Sequence, residues 1–330
     1  MPTPRIEDVA TAAGVHKSTV SRAFSRPEAV KQETRDHVLR VAASMGYTMS
    51  PLAQALRTKS STLVPLIVPE ITNPFFAELA KAMTAAAGER GYQLVLCVTE
   101  NDPAATAGYL HAMRSMYAPF GVIAPLKQLD PTEFESFGFG SRLVVIDRME
   151  PEHNVPTVTV DNVKGIQLAF DHLVALGHTS IAYIAGIIGT HTAADRREAY
   201  HALAASHHME SLEFNERTGI EAGQRAAEQL ADMERRPSAV IAANDLVAFG
   251  LISALGSRGL SVPKEVSVVG FDGLELGASS NPPLTSVRQP ITEMGRIAIE
   301  LAERSAETGQ IEHVALQPRL LIRSSTGLAR

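Results

Sequence analysis

The sequence predicts an α/β protein, with an all-helical helix-turn-helix head followed by two doubly wound α/β subdomains. Three observations predict it. Three short amphipathic segments occupy residues 5–45. From Leu63 onward, apolar runs of strand length alternate with stretches of helical spacing, and the series occurs twice. Charge is also uneven: residues 1–60 carry nine Lys/Arg against five Asp/Glu, in a chain of net charge −6. A basic head on an acidic body suits a protein that meets phosphates at one end only.

In the head, Ile6, Val9, Ala10 and Ala13 follow the i, i+3, i+4, i+7 spacing of one apolar helical face. Gly14 stops that helix, because glycine enters the left-handed turn that side chains resist. A second helix spans about 17–25 with Val20, Ala23 and Phe24 inward, and a third spans about 32–45 with Val38, Val41, Ala42 and Met45 inward. Two short helices joined by a tight glycine turn make a helix-turn-helix. The outer face of the second suits a DNA major groove. Arg22 offers paired donors to guanine O6 and N7, Lys17 reaches the same acceptors, and Ser18 pairs with several bases. Thr19, Ser21 and Ser25 can donate to phosphate oxygens. On composition alone the same pattern also describes a three-helix bundle with a solvated charged face.

Residues 50–57 follow, with Ser50 as a candidate N-cap, Pro51 in the first turn, and Leu52, Ala55 and Leu56 apolar. So short a helix is unstable alone in water. It either folds on a partner helix or DNA, or is a plain interdomain linker.

In the body, LVPLIV (63–68), YQLVLCV (92–98), GVIAP (121–125) and RLVVID (142–147) read as buried parallel strands, with helical spacing at 75–90 and 104–116. A second series has strands at 180–186, 238–245 and 266–273. Pro65 cannot donate to a ladder, so a strand start or a local distortion is expected there. Ligands of such sheets sit beyond the C-terminal strand ends. The residues at those ends include Asn73, Phe75, Phe76, Asp147, Arg148, Asn244, Asp272 and Gln289. Rings that pack on sugar C–H faces, beside carboxylates, amides and guanidinium groups that pair with hydroxyls, make a sugar-binding chemistry. Taken singly, each has a duller reading as a cap, a turn former or plain core.

Composition narrows the classes further. With 330 residues, 45% of them hydrophobic and 20% charged, the chain can fill two or three cores and is not of disordered composition. The single cysteine, Cys97, forms neither an internal disulfide nor a cysteine-rich metal site. The N-terminus MPTPRIEDVA lacks the regions of a secretion signal, and no apolar run approaches the roughly 20 residues of a membrane span. A cytoplasmic location without a membrane partner is expected. No nucleophile elbow, phosphate loop, dinucleotide fingerprint or metal-spaced His pair occurs, so neither enzyme, cofactor nor metal is expected.

The stretch DVATAAGVHKSTVSRAFS resembles the reading head of the LacI/GalR family of bacterial repressors, with D-V-A, A-G-V and T-V-S-R at the family's spacing. The resemblance implies base contacts by Lys17, Ser18 and Arg22, and phosphate contacts by Thr19, Ser21, Ser25, Thr34 and Tyr47. His16 stands where the family has a Ser or Thr cap; a weaker cap that meets a phosphate is expected. Lys31 likewise replaces a usual cap. The family's hinge helix implies that Leu56 wedges into a minor-groove step while Ala53 lies on the groove floor.

The body resembles the periplasmic sugar-binding fold of the same family through NPFF, VIDR, HLVALGHTSIAYIAG, AAND, VGFDG and NPPLTSVRQP. This implies effector contacts by Asn73, Phe75, Phe76, Asp147, Arg148, Arg196, Phe214, Asn244, Asp272 and Gln289, in a pocket resembling the ribose type. It divides the chain into a DNA-binding domain (1–48), a hinge helix and linker (49–61) and an effector-binding and dimerisation domain (62–330). The N-subdomain takes about 62–159 and 291–318, and the C-subdomain about 160–290 and 319–330. The implied protein is a homodimeric repressor of a palindromic operator, controlled by a pentose-like sugar. A nucleoside or purine effector, a protein coregulator, and a pure sugar-binding module are the alternatives. The chain ends RSSTGLAR, without a heptad tail for further assembly.

Overall fold

A computed structural model describes residues 4–49, 55–56, 58–124, 140–147, 155–186, 190–216 and 219–330. It divides into two compact units, Met1–Ser61 and Thr62–Arg330. The expected contacts of Ala53 and Arg148 lie outside the described residues.

The first unit holds α1 (Ile6–Ala12), α2 (Lys17–Ser25), a 3-10 turn at Pro27–Ala29, and α3 (Gln32–Ser44). The apolar spacing does what it predicts: Val9, Val20 and Val38 are fully buried, and Ala10, Ala13, Ala23 and Ala42 close around them. Each such valine contributes about 1.5–3 kcal/mol of burial. Gly14 turns the chain at φ +65, a conformation that L side chains rarely adopt.

The second unit contains two six-stranded sheets. The first is built from β1 (Leu63–Val68), β2 (Gln93–Val98), β3 (Gly121–Ile123), β4 (Leu143–Ile146), β5 (Thr157–Val160) and β11 (His313–Leu316), in the order β11-β5-β4-β3-β1-β2. The second is built from β6 (Ile181–Ala185), β7 (Leu212–Asn215), β8 (Ala239–Ala242), β9 (Ser267–Asp272), β10 (Thr285–Arg288) and β12 (Arg319–Leu321), in the order β12-β10-β9-β8-β6-β7. The β10–β12 pair is antiparallel and the other described pairs are parallel. Along their first five strands both sheets follow the 2-1-3-4-5 doubly wound order, whose switch point lies between the first and third strands.

Helices cover both faces of each sheet, which is why the strands read as continuous apolar runs. In the first sheet, α4 (Pro74–Glu89) and α10 (Ile291–Thr308) cover one face and α5 (Pro103–Ser115) the other. In the second, α8 (Ile220–Ala231) and α9 (Asp245–Ser257) cover one face, and α6 (Asn162–Ala175) and α7 (His191–Ser206) the other. The chain passes between the sheets three times: at residue 161, at 289–290 and at 317–318.

Pro65 neither starts β1 nor distorts it. It is registered with Val95 of β2, the ladder to β3 begins one residue later at Leu66, and the proline ring lies over Gly121. A side chain at 121 would meet that ring at 3.0 Å, so the proline and the glycine fit as a pair.

Candidate functional site

A cavity of about 80 Å³ opens where the C-terminal ends of the two sheets face each other. Both switch points feed it. Beyond β1 come Glu70, Asn73, Phe75 and Phe76; beyond β4 comes Asp147. From the second sheet come Tyr183 and Gly186 of the β6 end, Ala243 and Asn244 after β8, and Asp272 at the end of β9. Thr190, Thr192, Ala193 and Arg196 enter from the start of α7, and Gln289 from a crossing between the sheets.

Each wall residue is held for a local reason. The Asn73 side-chain oxygen caps α4 by accepting from the Phe75 N–H at 3.0 Å, and Pro74 fits the first turn. Phe75 and Phe76 stand edge to face, 5.2 Å apart, and join the core behind them. Asn244 caps α9 through Val247 N–H at 2.9 Å. The duller reading of these residues as caps holds, and the same cap fixes a side chain that lines the wall. Arg196 is buried and its guanidinium is committed. Nε donates to Asn162 Oδ1 (2.7 Å), Nη1 donates to Ala243 O (2.9 Å), and the group lies 3.5 Å over the Phe271 ring. Thr192 Oγ1 on α7 donates to Asp147 O at 3.2 Å, a direct tie across the cavity between the halves.

Asp272 stands at φ +113, outside the region that side chains prefer. Its Oδ1 accepts from Gln289 Nε2 at 2.8 Å. Beneath it, Asp245 is fully buried, accepting from the Leu274 N–H (2.7 Å) and the Ser286 hydroxyl. Gly270 leaves the space for that carboxylate, since a Cβ there would meet Asp245 Oδ1 at 2.2 Å. Burial raises the Asp245 carboxyl to about 7. Burial and then the nearby Asp245 push Asp272 well above the ordinary carboxylate range. Among the described residues, three buried side-chain polar atoms lack a hydrogen-bond partner: Tyr183 Oη, Asp272 Oδ2 and Gln289 Oε1. All three belong to residues lining this cavity.

Of the expected effector residues, Asn73, Phe75, Phe76, Asp147, Arg196, Asn244, Asp272 and Gln289 line the cavity together. Phe214 does not. It is registered with Ile184 and is buried with Ala182, Val240 and Ala242 under α8 and α9, whereas Tyr183 reaches the cavity from the other parity of β6. Sequence reasoning missed Tyr183. A tyrosine in an otherwise aliphatic strand was the available signal.

In the head, His16 caps α2 as a serine would. Its Nδ1 accepts from the Ser18 N–H at 3.3 Å and lies 2.9 Å from Ser18 Oγ. The cap is made, by a hydrogen bond at the long end of the range. Arg22 turns back on Ser18, donating from Nε to its carbonyl and from Nη2 to its hydroxyl, each at 3.2 Å. Lys17 and Arg22 are exposed at the front of this face, with Ser18, Thr19 and Ser21 half-buried between and beside them. Ser25 donates to Ser21 O at 2.7 Å, so its proton must turn outward to reach a phosphate. Tyr47 packs edge-on to Phe24, centroids 5.7 Å apart, which fixes the chain leaving α3 against α2. Thr34 is half-buried in the first turn of α3, and Lys31 before it gives no side-chain cap. Leu56 is 61% exposed.

Comparison with known proteins decides the family. Residues 5–50 match "Bacterial regulatory proteins, lacI family", and residues 170–326 match "Periplasmic binding protein-like domain". The chain is 34% identical over 336 residues to the HTH-type transcriptional regulator DegA of Bacillus subtilis (strain 168), covering 97% of each. The chain belongs to the LacI family. It is 32% identical to the ribose operon repressor of Halalkalibacterium halodurans, covering 97% of this chain and 96% of the relative. Its fold superposes on a complex of the transcriptional regulator CelR with cellobiose at TM-score 0.72, with 29% identity over 98% of this chain and 99% of the other. The chain is therefore a DNA-binding transcriptional repressor of LacI type, and its relatives are regulators and not enzymes. No helix among the described residues is long and apolar enough to cross a membrane.

Proposed function

We propose that this repressor binds a palindromic operator as a homodimer in the cytoplasm and is controlled by a small sugar of pentose type held in the cavity of the body. The observation that carries the effector half is that three unpartnered buried polar atoms belong to residues lining one cavity beside Phe75 and Phe76. Buried polar groups are normally paired, so unpaired ones grouped in a cavity mark where a ligand's groups belong. Tyr183, Asp272 and Gln289 together ask for a molecule rich in hydroxyls, each of which donates and accepts. A relative named a ribose operon repressor and a related fold holding cellobiose support the same chemistry.

On the DNA side, Lys17, Ser18 and Arg22 read bases, with His16, Thr19, Ser21, Ser25, Thr34 and Tyr47 at phosphates and Leu56 at a minor-groove step. One reading helix serves each half-site. The effector shifts operator affinity by favouring one relative setting of the two sheets. Calorimetric titration with sugars and nucleosides, followed by operator gel shifts with and without the binder, tests both halves. Heat with a pentose and a changed shift are expected; no heat with any sugar removes the effector reading. Arg22→Ala is expected to lose about 1–3 kcal/mol of base discrimination. Unchanged preference among operator variants removes the groove assignment.

A further inference from the structure

Tyr183 and Tyr200 form a stacked pair, with centroids 5.3 Å apart and planes at 23°, yet their hydroxyls have opposite fates. The Tyr200 hydroxyl lies 2.9 Å from Ile181 O and accepts from the Leu212 N–H at 2.8 Å. The Tyr183 hydroxyl, equally buried, has no partner, and its residue lines the cavity. A phenylalanine here would keep the stack and avoid burying an unpaired hydroxyl. The tyrosine thus weakens the ligand-free protein, and the cavity is where that hydroxyl can find a partner.

We infer that the Tyr183 hydroxyl is a ligand-reading group, donating to an oxygen of the bound molecule and so setting its specificity. The inference rests on the sugar reading above. Burial pushes this phenol up to about 12, so it keeps its proton and donates throughout the physiological range. Gln289 Oε1 offers a complementary acceptor, and Asp272 Oδ2 donates when its carboxyl holds a proton and accepts when it is ionised. A ligand satisfying all three must carry an acceptor, a donor and a group that can do either within one compact frame, which the hydroxyls of a monosaccharide supply and a hydrocarbon or simple aromatic ring does not. A site built around a hydrogen bond also discriminates more sharply than an apolar one, because the wrong ligand leaves the buried group unpaired.

The test compares the full chain with Tyr183→Phe by thermal melting and by calorimetry against D-ribose, D-xylose, D-glucose and adenosine. Two results are expected together. The ligand-free variant melts at or above the unmutated protein, because an unpaired buried hydroxyl is gone. Its affinity for whichever compound binds falls roughly tenfold, the loss of one hydrogen bond. Equal affinity in the two proteins overturns this assignment and leaves the sugar reading standing. A lower melting temperature of the ligand-free variant also overturns it, since the hydroxyl then serves the fold. If the unmutated protein binds none of the four, the sugar reading falls and the assignment falls with it.

Discussion

The fourth strand of each sheet runs out into an aspartate with positive φ: Asp147 at +72 after β4, and Asp272 at +113 at the end of β9. The two hold the same place in the same winding, and both line the cavity. Their surroundings differ. Asp147 follows a short strand and takes Thr192 on its main-chain oxygen. Asp272 is packed over a second buried carboxyl and bonded to Gln289. The topology thus supplies the position twice, and the side chains beneath it decide what each copy does. More broadly, the first sheet contributes rings, Glu70, Asn73 and Asp147, while the second carries the bonded frame of Arg196, Asn244 and Asp272 and the unpartnered hydroxyl of Tyr183. Strain is tolerated where the surrounding structure over-determines it, and here that is the second half.

Packing sharpens the contrast and gives the largest expected effect. In the second half, α8 and α9 meet backbone to backbone: a Cβ at Gly250 would sit 1.9 Å from Ile220 O, and one at Gly223 would sit 2.0 Å from Val247 O. In the first half, a Cβ at Gly295 would meet the Ala82 methyl at 2.9 Å. Gly250→Ala is therefore expected to cost about 3 kcal/mol or more in denaturant unfolding. Gly295→Ala is expected to cost about 1 kcal/mol, part of the overlap being returned by helix propensity. Equal costs would show that the two halves are packed to the same tolerance after all.

Arg196→Met comes next. It strands Asn162 Oδ1 and Ala243 O and removes the cation over Phe271, so a loss of about 2–3 kcal/mol of stability is expected, together with the calorimetric signal of the effector. Asn73→Ala, in the opposite wall, removes the cap of α4 and is expected to cost about 1 kcal/mol of stability.

The smallest effects separate the two aspartates. Asp272→Asn keeps the acceptor for Gln289 and removes a carboxyl whose ionisation burial and Asp245 oppose. It is expected to raise the melting temperature of the ligand-free protein at about pH 8 while weakening the effector at least tenfold, a trade of function for stability. Asp147→Asn is expected to leave the melting temperature nearly unchanged. Titration carries the same sign. Asp245, raised to about 7, and Asp272 hold protons in the folded protein that the unfolded chain releases near an ordinary carboxylate value. The stability that Asp245 contributes is fully present below the unfolded value, about pH 4, and is lost as pH rises through about 7, and Asp272 acts in the same direction. Melting at about pH 5.5 should exceed melting at about pH 8, and Asp245→Asn should flatten that slope.

Much of this was legible in the sequence, for identifiable reasons. Strands covered on both faces read as unbroken apolar runs, and the head's spacing at Ile6, Val9, Ala10 and Ala13 marks a helix face. Polar residues at strand ends pointed to the cavity because the fold places ligands there. Parity was the first thing hidden: Phe214 and Tyr183 are both aromatics near strand ends, but only the pairing of β7 with β6 decides which face each takes. Long-range partners were the second. Nothing local tells that Pro65 lies over Gly121, or that Asp245 reaches Ser286 and Leu274.

The three passages of chain between the sheets bear on how the molecule is made. The helices of the head are complete by Ser44, so that unit can close while most of the polypeptide is still being synthesised. Neither half of the body can. The first sheet waits for α10 and for β11 at 313–316, and the second waits for β12 at 319–321. Until then β5 and β10 each present an open edge to whatever strand comes near. Emergence of one short stretch from the ribosome seals both edges, so the body of the protein is finished in a single late event, long after the helical head.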